Sequence, residues 1–245
     1  MPPTGRVAFW NYEMSESQFR VWLRKQGIAK TDRGAILNLR GYSIPIWIPY
    51  VKDWAVEWLT VRGSTCWILD PYARAFSGCG PENSNEDSSR FLDAIDEIKQ
   101  RAGIDDFIMS AHTGRMEQEE GKERARGATR LDDWADARWV LVKQNGVRYF
   151  RADGRDVDVS EKKLGFDPET KHLKVVGEDR RTERVIDAAE EVVDVVEETP
   201  GINKRVLLSR LQGKTETKYS STWLGLGSRI LGGTAVFGRS GSTLL

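Results

Sequence analysis

The chain has 245 residues, 39% of them hydrophobic and 30% charged, enough for one α/β core and a smaller second unit at roughly 150 residues per domain. Lys plus Arg and Asp plus Glu number 37 each, so no global basic field exists, and any nucleic-acid contact must come from local clusters. No apolar run approaches the ~20 residues of a membrane span, "MPPTGRVAFW" has no secretory pattern, and Cys66, Cys79, His112 and His172 offer neither a disulfide framework nor a zinc spacing. A cytoplasmic protein with reduced thiols is expected.

In chain order, "RVAFWNYE" (6 to 13) reads as a strand. "SESQFRVWLRKQG" (15 to 27) reads as a helix capped by Ser15, with Phe19, Val21, Trp22 and Leu23 as a broad apolar face. "GAILNLRGYSIPIW" is strand-like but broken by Gly41 and Pro45, and a helix around "VKDWAVEWLTVRG" ends on Gly63. "STCWILDPYARAF" (64 to 76) is an apolar strand that delivers one carboxylate, Asp70, before Pro71. A polar loop, "GCGPENSNED", precedes an amphipathic helix in "SSRFLDAIDEIKQRAG", and "DDFIMSAHTG" is a strand with His112 at its end. After a charged segment, residues from "ARWVLVKQ" to about 177 look like antiparallel ribbon with turns at "ADGRD" and "DPETKH".

Strands alternating with helices predict a parallel sheet that binds ligands at the carboxyl ends of its strands, where Glu13, Asp70 and His112 all fall. Trp10, Trp54, Trp58 and Trp67 lie in strand or helix patterns and are expected in the core.

A second unit opens with "TERVIDAAEEVVDVVEETPG", whose Val185, Ile186, Ala189, Val192, Val193 and Val196 follow helical spacing. "NKRVLLSRLQG", a third helix across "TKYSSTWLGLGSRIL" and a terminal hairpin would complete a winged helix over 182–245. A small packing or oligomerisation domain is the alternative. The last 27 residues, from Tyr219, hold six glycines and only Arg229 and Arg239 as charges; they are either a wing or a tail from a changed reading frame.

A phosphate loop reads G-x-x-x-x-G-K-[ST], and the chain has none. "LSRLQGKT" (208 to 215) carries Leu208 where the first glycine must stand, and follows a helix.

Four blocks, "RVAFWNYEMSESQFRVWLRKQG", "WILDPYARAFSGCGPENSNEDSSRFLDAIDEIKQRAG", "MSAHTGR" and "ARGATRLDDWADARWVLVKQ", together resemble the RepA-type RecA-like ATPases, hexameric replicative helicases of plasmids and phages, and more distantly the DnaB motor domain. The resemblance implies a RecA-like P-loop NTPase core over 1–177, a mostly parallel sheet flanked by helices whose first strand and P-loop are absent, followed by the winged helix. The chain would then be a fragment, a late start or a remnant, with an unsatisfied place in its sheet.

On this resemblance Glu13 matches the acid that orients the attacking water, and Asp70 the Walker B aspartate that holds magnesium through water. His112 matches the sensor of the terminal phosphate. Arg138 stands at the arginine-finger position, with Arg126 or Lys143 as substitutes. ATP and Mg2+ are the implied cofactors and a homo-oligomer, hexameric if complete, the implied assembly. Arg115, Lys122, Arg124, Arg126 and Arg130 would face single-stranded DNA in the ring channel, although Glu117, Glu119, Glu120 and Glu123 also fit a solvated charge run. Lys204, Arg205, Arg210, Lys214 and Lys218 form a basic stripe in the winged-helix segment, suited to duplex DNA. A non-hydrolysing DNA-binding accessory protein and a recombination mediator of the RadA kind are the other readings.

Overall fold

The computed structural model describes residues 5–28, 32–113, 123 and 129–212. Its first half alternates strands and helices: β1 (Arg6–Asn11), α1 (Glu16–Lys25), β2 (Gly34–Asn38), α2 (Pro49–Val61), β3 (Ser64–Asp70), α3 (Tyr72–Ala75), α4 (Asn85–Ala102) and β4 (Asp106–Met109). The strands form a parallel sheet in the order β2-β1-β3-β4, with Asn11 level with both Asn38 and Asp70. A parallel sheet flanked by helices is what a RecA-like core requires.

One face of this sheet carries the core. Trp10 and Trp67 are fully buried, their ring centroids 4.9 Å apart, and Trp58 meets Trp10 edge-on at 5.9 Å. α2 starts with Pro49 at its first turn and delivers Ala55, Trp58 and Leu59 to this layer. α4 adds Phe91, Leu92, Ile95 and Ile98 at helical spacing. Arg101 ties the two helices at the surface, 2.6 Å from Asp53 and 3.0 Å from Glu97. Trp54 packs on Trp10 yet stays 38% exposed, so it borders the core and does not fill it.

The other face is more open. The register aligns Ile36, Phe9, Ile68 and Ile108 in one row, and Phe19 of α1 lies 4.6 Å from Phe9. Ile36 and Ile108, at the two ends of that row, keep 43% and 40% of their surface. α1 buries only Phe19, whereas Val21 and Trp22 point outward; the broad apolar face read from the sequence is therefore split.

α4 begins three residues earlier than the polar composition of its first turn suggests, because Ser84 accepts a hydrogen bond from the Asp87 amide at 3.2 Å and Glu86 and Asp87 favour the positive helix end. Gly63 and Gly103 end α2 and α4 at φ of 60° and 67°. Cys66 and Cys79 are free and buried, and burial pushes both thiols up. Among the described residues no helix is long and apolar enough to cross a membrane.

Past β4 come α5 (Arg130–Trp134) and a second sheet, ordered β5 (Ala137–Gln144), β6 (Val147–Gly154), β7 (Asp158–Phe166) and β8 (Leu173–Gly177). Asn145 and Gly146, at φ of 49° and 84°, supply the two left-handed positions of a tight hairpin between β5 and β6. At β7–β8 the Asp167 carboxylate accepts from the Glu169 and Thr170 amides at 2.8 and 3.2 Å, closing the turn read from "DPETKH".

The chain divides into two compact units, 1–140 with 153–158 and 166–173, and 141–152 with 159–165 and 174–245. In the second unit, α6 (Arg180–Glu198) is capped by Asp179, which accepts from the Arg181 and Thr182 amides at 2.9 and 3.0 Å. Arg180, 5% exposed, meets Glu161 through Nε at 2.8 Å and Nη2 at 2.6 Å. Such a buried fork tolerates loss of neither partner. α7 (Lys204–Gln212) packs Leu207 and Leu211 against Ala188 and Val195. The third helix and hairpin of the predicted winged helix lie outside the described residues.

Glu183 accepts from Lys163 Nζ and, at 2.8 Å, from the Glu178 amide; chiefly the lysine holds its carboxyl below the usual range. A depressed folded-state pKa gives stability that is full above the unfolded value of about 4.3 and lost as pH falls through the folded one. Urea midpoints should therefore fall with acid, and Glu183→Gln should flatten that fall. Parallel acid limbs in the two proteins would remove this pair as a cause.

Candidate functional site

The carboxyl ends of β1, β3 and β4 lie side by side, and hydrogen bonds continue past each strand. The Tyr12 amide donates to the Asp70 carbonyl at 2.8 Å, the Ser110 amide to the Leu69 carbonyl at 3.1 Å, and the Tyr72 amide to the Ser110 carbonyl at 2.8 Å. These bonds fix the backbone that carries Glu13, Asp70, Ser110 and His112. Ser110 Oγ donates to the Asp70 carboxylate. His112 Nε2 stands 3.8 Å from Glu13 Oε2, with 66% and 53% of the two side chains exposed. An exposed pair of that kind adds only about 0–1 kcal/mol, so its value lies in placement.

Glu13 is held from behind. Asn11, fully buried, donates through Nδ2 to the Met14 carbonyl at 2.8 Å and to Asn38 Oδ1 at 3.1 Å, while its Oδ1 accepts from the Met14 amide at 2.9 Å. The side chain thus closes the turn 11–14 and joins it to the end of β2. Tyr12 points into the core with its hydroxyl buried and unpartnered among the described residues, and burial raises its pKa.

Sequence reasoning missed Asn11, Asn38 and Ser110. An asparagine inside an otherwise apolar strand was a readable signal, since strands disfavour it. Ser110 had none beyond its place after an apolar run.

Arg138, on β5, lies apart from this cluster in its bonding. Its guanidinium donates to Asp153 and lies 3.4 Å from Asp132, and the hydrogen bond to the Asp153 carboxylate raises its pKa above the ordinary arginine value. The same two aspartates, with Asp133, Asp136 and Arg155, line a cavity of about 530 Å³. Lys143 is exposed near the end of β5. Arg130 is exposed as the first residue of α5, and Glu123, read as a solvated acid, is 8% exposed. Lys204, Arg205 and Arg210 are exposed on α7, Arg210 reaching Thr199 Oγ1 at 2.8 Å. Arg115, Lys122, Arg124, Arg126, Lys214 and Lys218 lie outside the described residues.

The donor set suits a hydrated cation better than a dry one. Among the described residues no three His, Cys, Asp or Glu groups converge to hold a metal. Magnesium does not need them: it keeps several waters and takes one or two carboxylates plus phosphate oxygens. Asp70, steadied by Ser110, fits that role.

Residues 2–118 match the family model of the AAA domain. This stretch is similar to P-loop, AAA-like ATPases. The AAA-like segment spans β1 to β4 and includes Glu13, Asp70, Ser110 and His112, so the clustered groups all fall within it. Such domains use a nucleotide and Mg2+. The match ends before Arg138 and Lys143, and no curated protein matches the chain.

Two neighbouring substitutions should act in opposite directions. Asn11→Ala leaves the Met14 amide and carbonyl without partners and should cost about 2–4 kcal/mol, whereas Tyr12→Phe removes an orphaned hydroxyl and should gain up to about 1 kcal/mol. Denaturant unfolding checks both, and destabilisation by Tyr12→Phe would show that the hydroxyl has a partner.

Proposed function

We propose that the chain carries the magnesium- and water-addressing part of a RecA-like, RepA-type ATPase that couples ATP hydrolysis to movement along DNA in plasmid or phage replication. The observation that supports this reading is the pairing of Asp70 with Ser110 and of Glu13 with His112 at adjacent strand ends inside the AAA-like segment. Asp70 would hold magnesium, with Ser110 fixing the carboxylate's orientation. Glu13 orients the attacking water, held in place by the Asn11 turn, and His112 reads the terminal phosphate beside it. Bound magnesium would neutralise charge on the phosphates. Phosphoryl transfer is catalysed mainly by position and charge, which explains why these groups sit on hydrogen-bonded strand tips.

Arg138 is the candidate for the arginine finger, a role that would require it to exchange Asp132 and Asp153 for a neighbouring subunit's nucleotide, with Arg126 or Lys143 as substitutes. The working assembly is a homo-hexameric ring, with the basic residues of 115–130 on single-stranded DNA and those of 204–218 on duplex. No G-x-x-x-x-G-K-[ST] occurs in the 245 residues, so the phosphate grip comes from elsewhere.

The test is a titration of fluorescent ATP with magnesium into this chain and into the chain joined to its upstream coding sequence. Binding and hydrolysis should appear only in the extended protein. Asp70→Ala should abolish the hydrolysis, and Glu13→Gln should lower kcat about 10²–10⁴-fold with affinity little changed. If the upstream sequence encodes no phosphate loop and neither protein binds ATP, the exposed Lys204 and Arg205 favour a non-hydrolysing DNA-binding accessory protein instead. Full activity of Asp70→Ala would overturn the site assignment.

A further inference from the structure

α1 spends only one of its apolar residues on the core. Phe19 packs on Phe9, while Val21 and Trp22 keep 49% and 43% of their surface. With Ser17, Gln18, Lys25 and Lys171 they line a solvent-open groove of about 410 Å³. The groove holds one aromatic ring, two cations and two polar side chains. The Lys171 ammonium lies 5.4 Å from the Phe166 ring, and among the described residues neither Lys25 nor Lys171 has a carboxylate partner.

That combination matches a nucleobase and its phosphates. An exposed indole face stacks on any base, and lysine ammoniums beside it follow the backbone charge. A folded protein partner fits less well, since a stable interface engages about 20–30 residues a side and this groove is lined by six. A free mononucleotide also fits less well, because small-ligand sites bury most of their ligand and this groove is open.

We propose that the α1 groove is a contact site for single-stranded nucleic acid, with a base on Trp22 and phosphates on Lys25 and Lys171. It is separate from the strand-tip cluster and independent of ATP hydrolysis.

The test is binding of a fluorescein-labelled oligothymidylate to the full chain over a range of salt. It is paired with ¹⁹F spectra of the 5-fluorotryptophan-labelled protein, in which Trp22→Phe identifies the Trp22 resonance. The oligonucleotide should shift that resonance, and Trp22→Ala should weaken binding roughly 5- to 150-fold. Lys25→Gln with Lys171→Gln should reduce the slope of log affinity against log salt by about 1.4, or 0.7 per phosphate contact. Trp22 and Lys25 are exposed, so circular dichroism of these variants should be unchanged. A Trp22 resonance unmoved by the oligonucleotide, or affinities unaltered in both variants, would overturn the proposal. So would an equal shift with thymidine monophosphate alone, which would make the groove a mononucleotide site. Self-association abolished by Trp22→Ala would overturn it in favour of a second copy of the chain.

Discussion

The parallel pairing of β1 with β3 is the constraint from which the rest of this molecule follows. It sets Trp10 level with Leu69 and beside Trp67, creating the aromatic layer on which α2 and α4 pack. The same register sets Asn11 level with Asp70, so the turn bearing Glu13 emerges beside the strand end that carries the Asp70 carboxylate. Period-two alternation means that a slip of one residue would turn the tryptophans to the opposite face and part the two acids together. Packing and chemistry thus depend on one set of backbone hydrogen bonds.

The two faces of that sheet are unequal. Parallel sheets are normally covered on both sides, and here one face is closed while the row through Phe9 and Ile68 ends in half-exposed isoleucines. β4 stands at the end of the strand order, and the AAA-like segment stops a few residues beyond it. Among the described residues this face is the less covered of the two.

Much of the first half was legible because each element carried a local signal. The apolar run before Asp70, the 3.6-residue spacing of Phe91 to Ile98 and the glycines after α2 and α4 have physical causes that act within a few residues. Cross-strand contacts carried no such signal. Nothing in "FIMSAH" announces that the Ser110 hydroxyl meets Asp70, and nothing in "ADARW" that Arg138 is held by Asp153, since both depend on register between distant segments. α1 misled for a related reason: its apolar residues cover more than one side of a helix, and only the sheet decides which side is inside. The tryptophans read well as a group, with Trp54 at the margin because α2 carries it past the rim of the layer.

The order of the strands in space, set against their order along the chain, bears on how the protein is made. β1 lies between two partners that both follow it in the sequence, and its longer-range partner ends at Asp70. Roughly 60 residues separate the two, and at about 5–20 residues per second a ribosome needs about 3–12 s to supply them. For that interval Trp10 has no Trp67 to pack on, whereas Phe9 already has Phe19 of α1. Non-local pairing of this type also folds slowly once the chain is complete. The aromatic layer that stabilises the finished core is, in the nascent chain, a sticky segment, and yield in a cell depends on whatever shields it until β3 arrives.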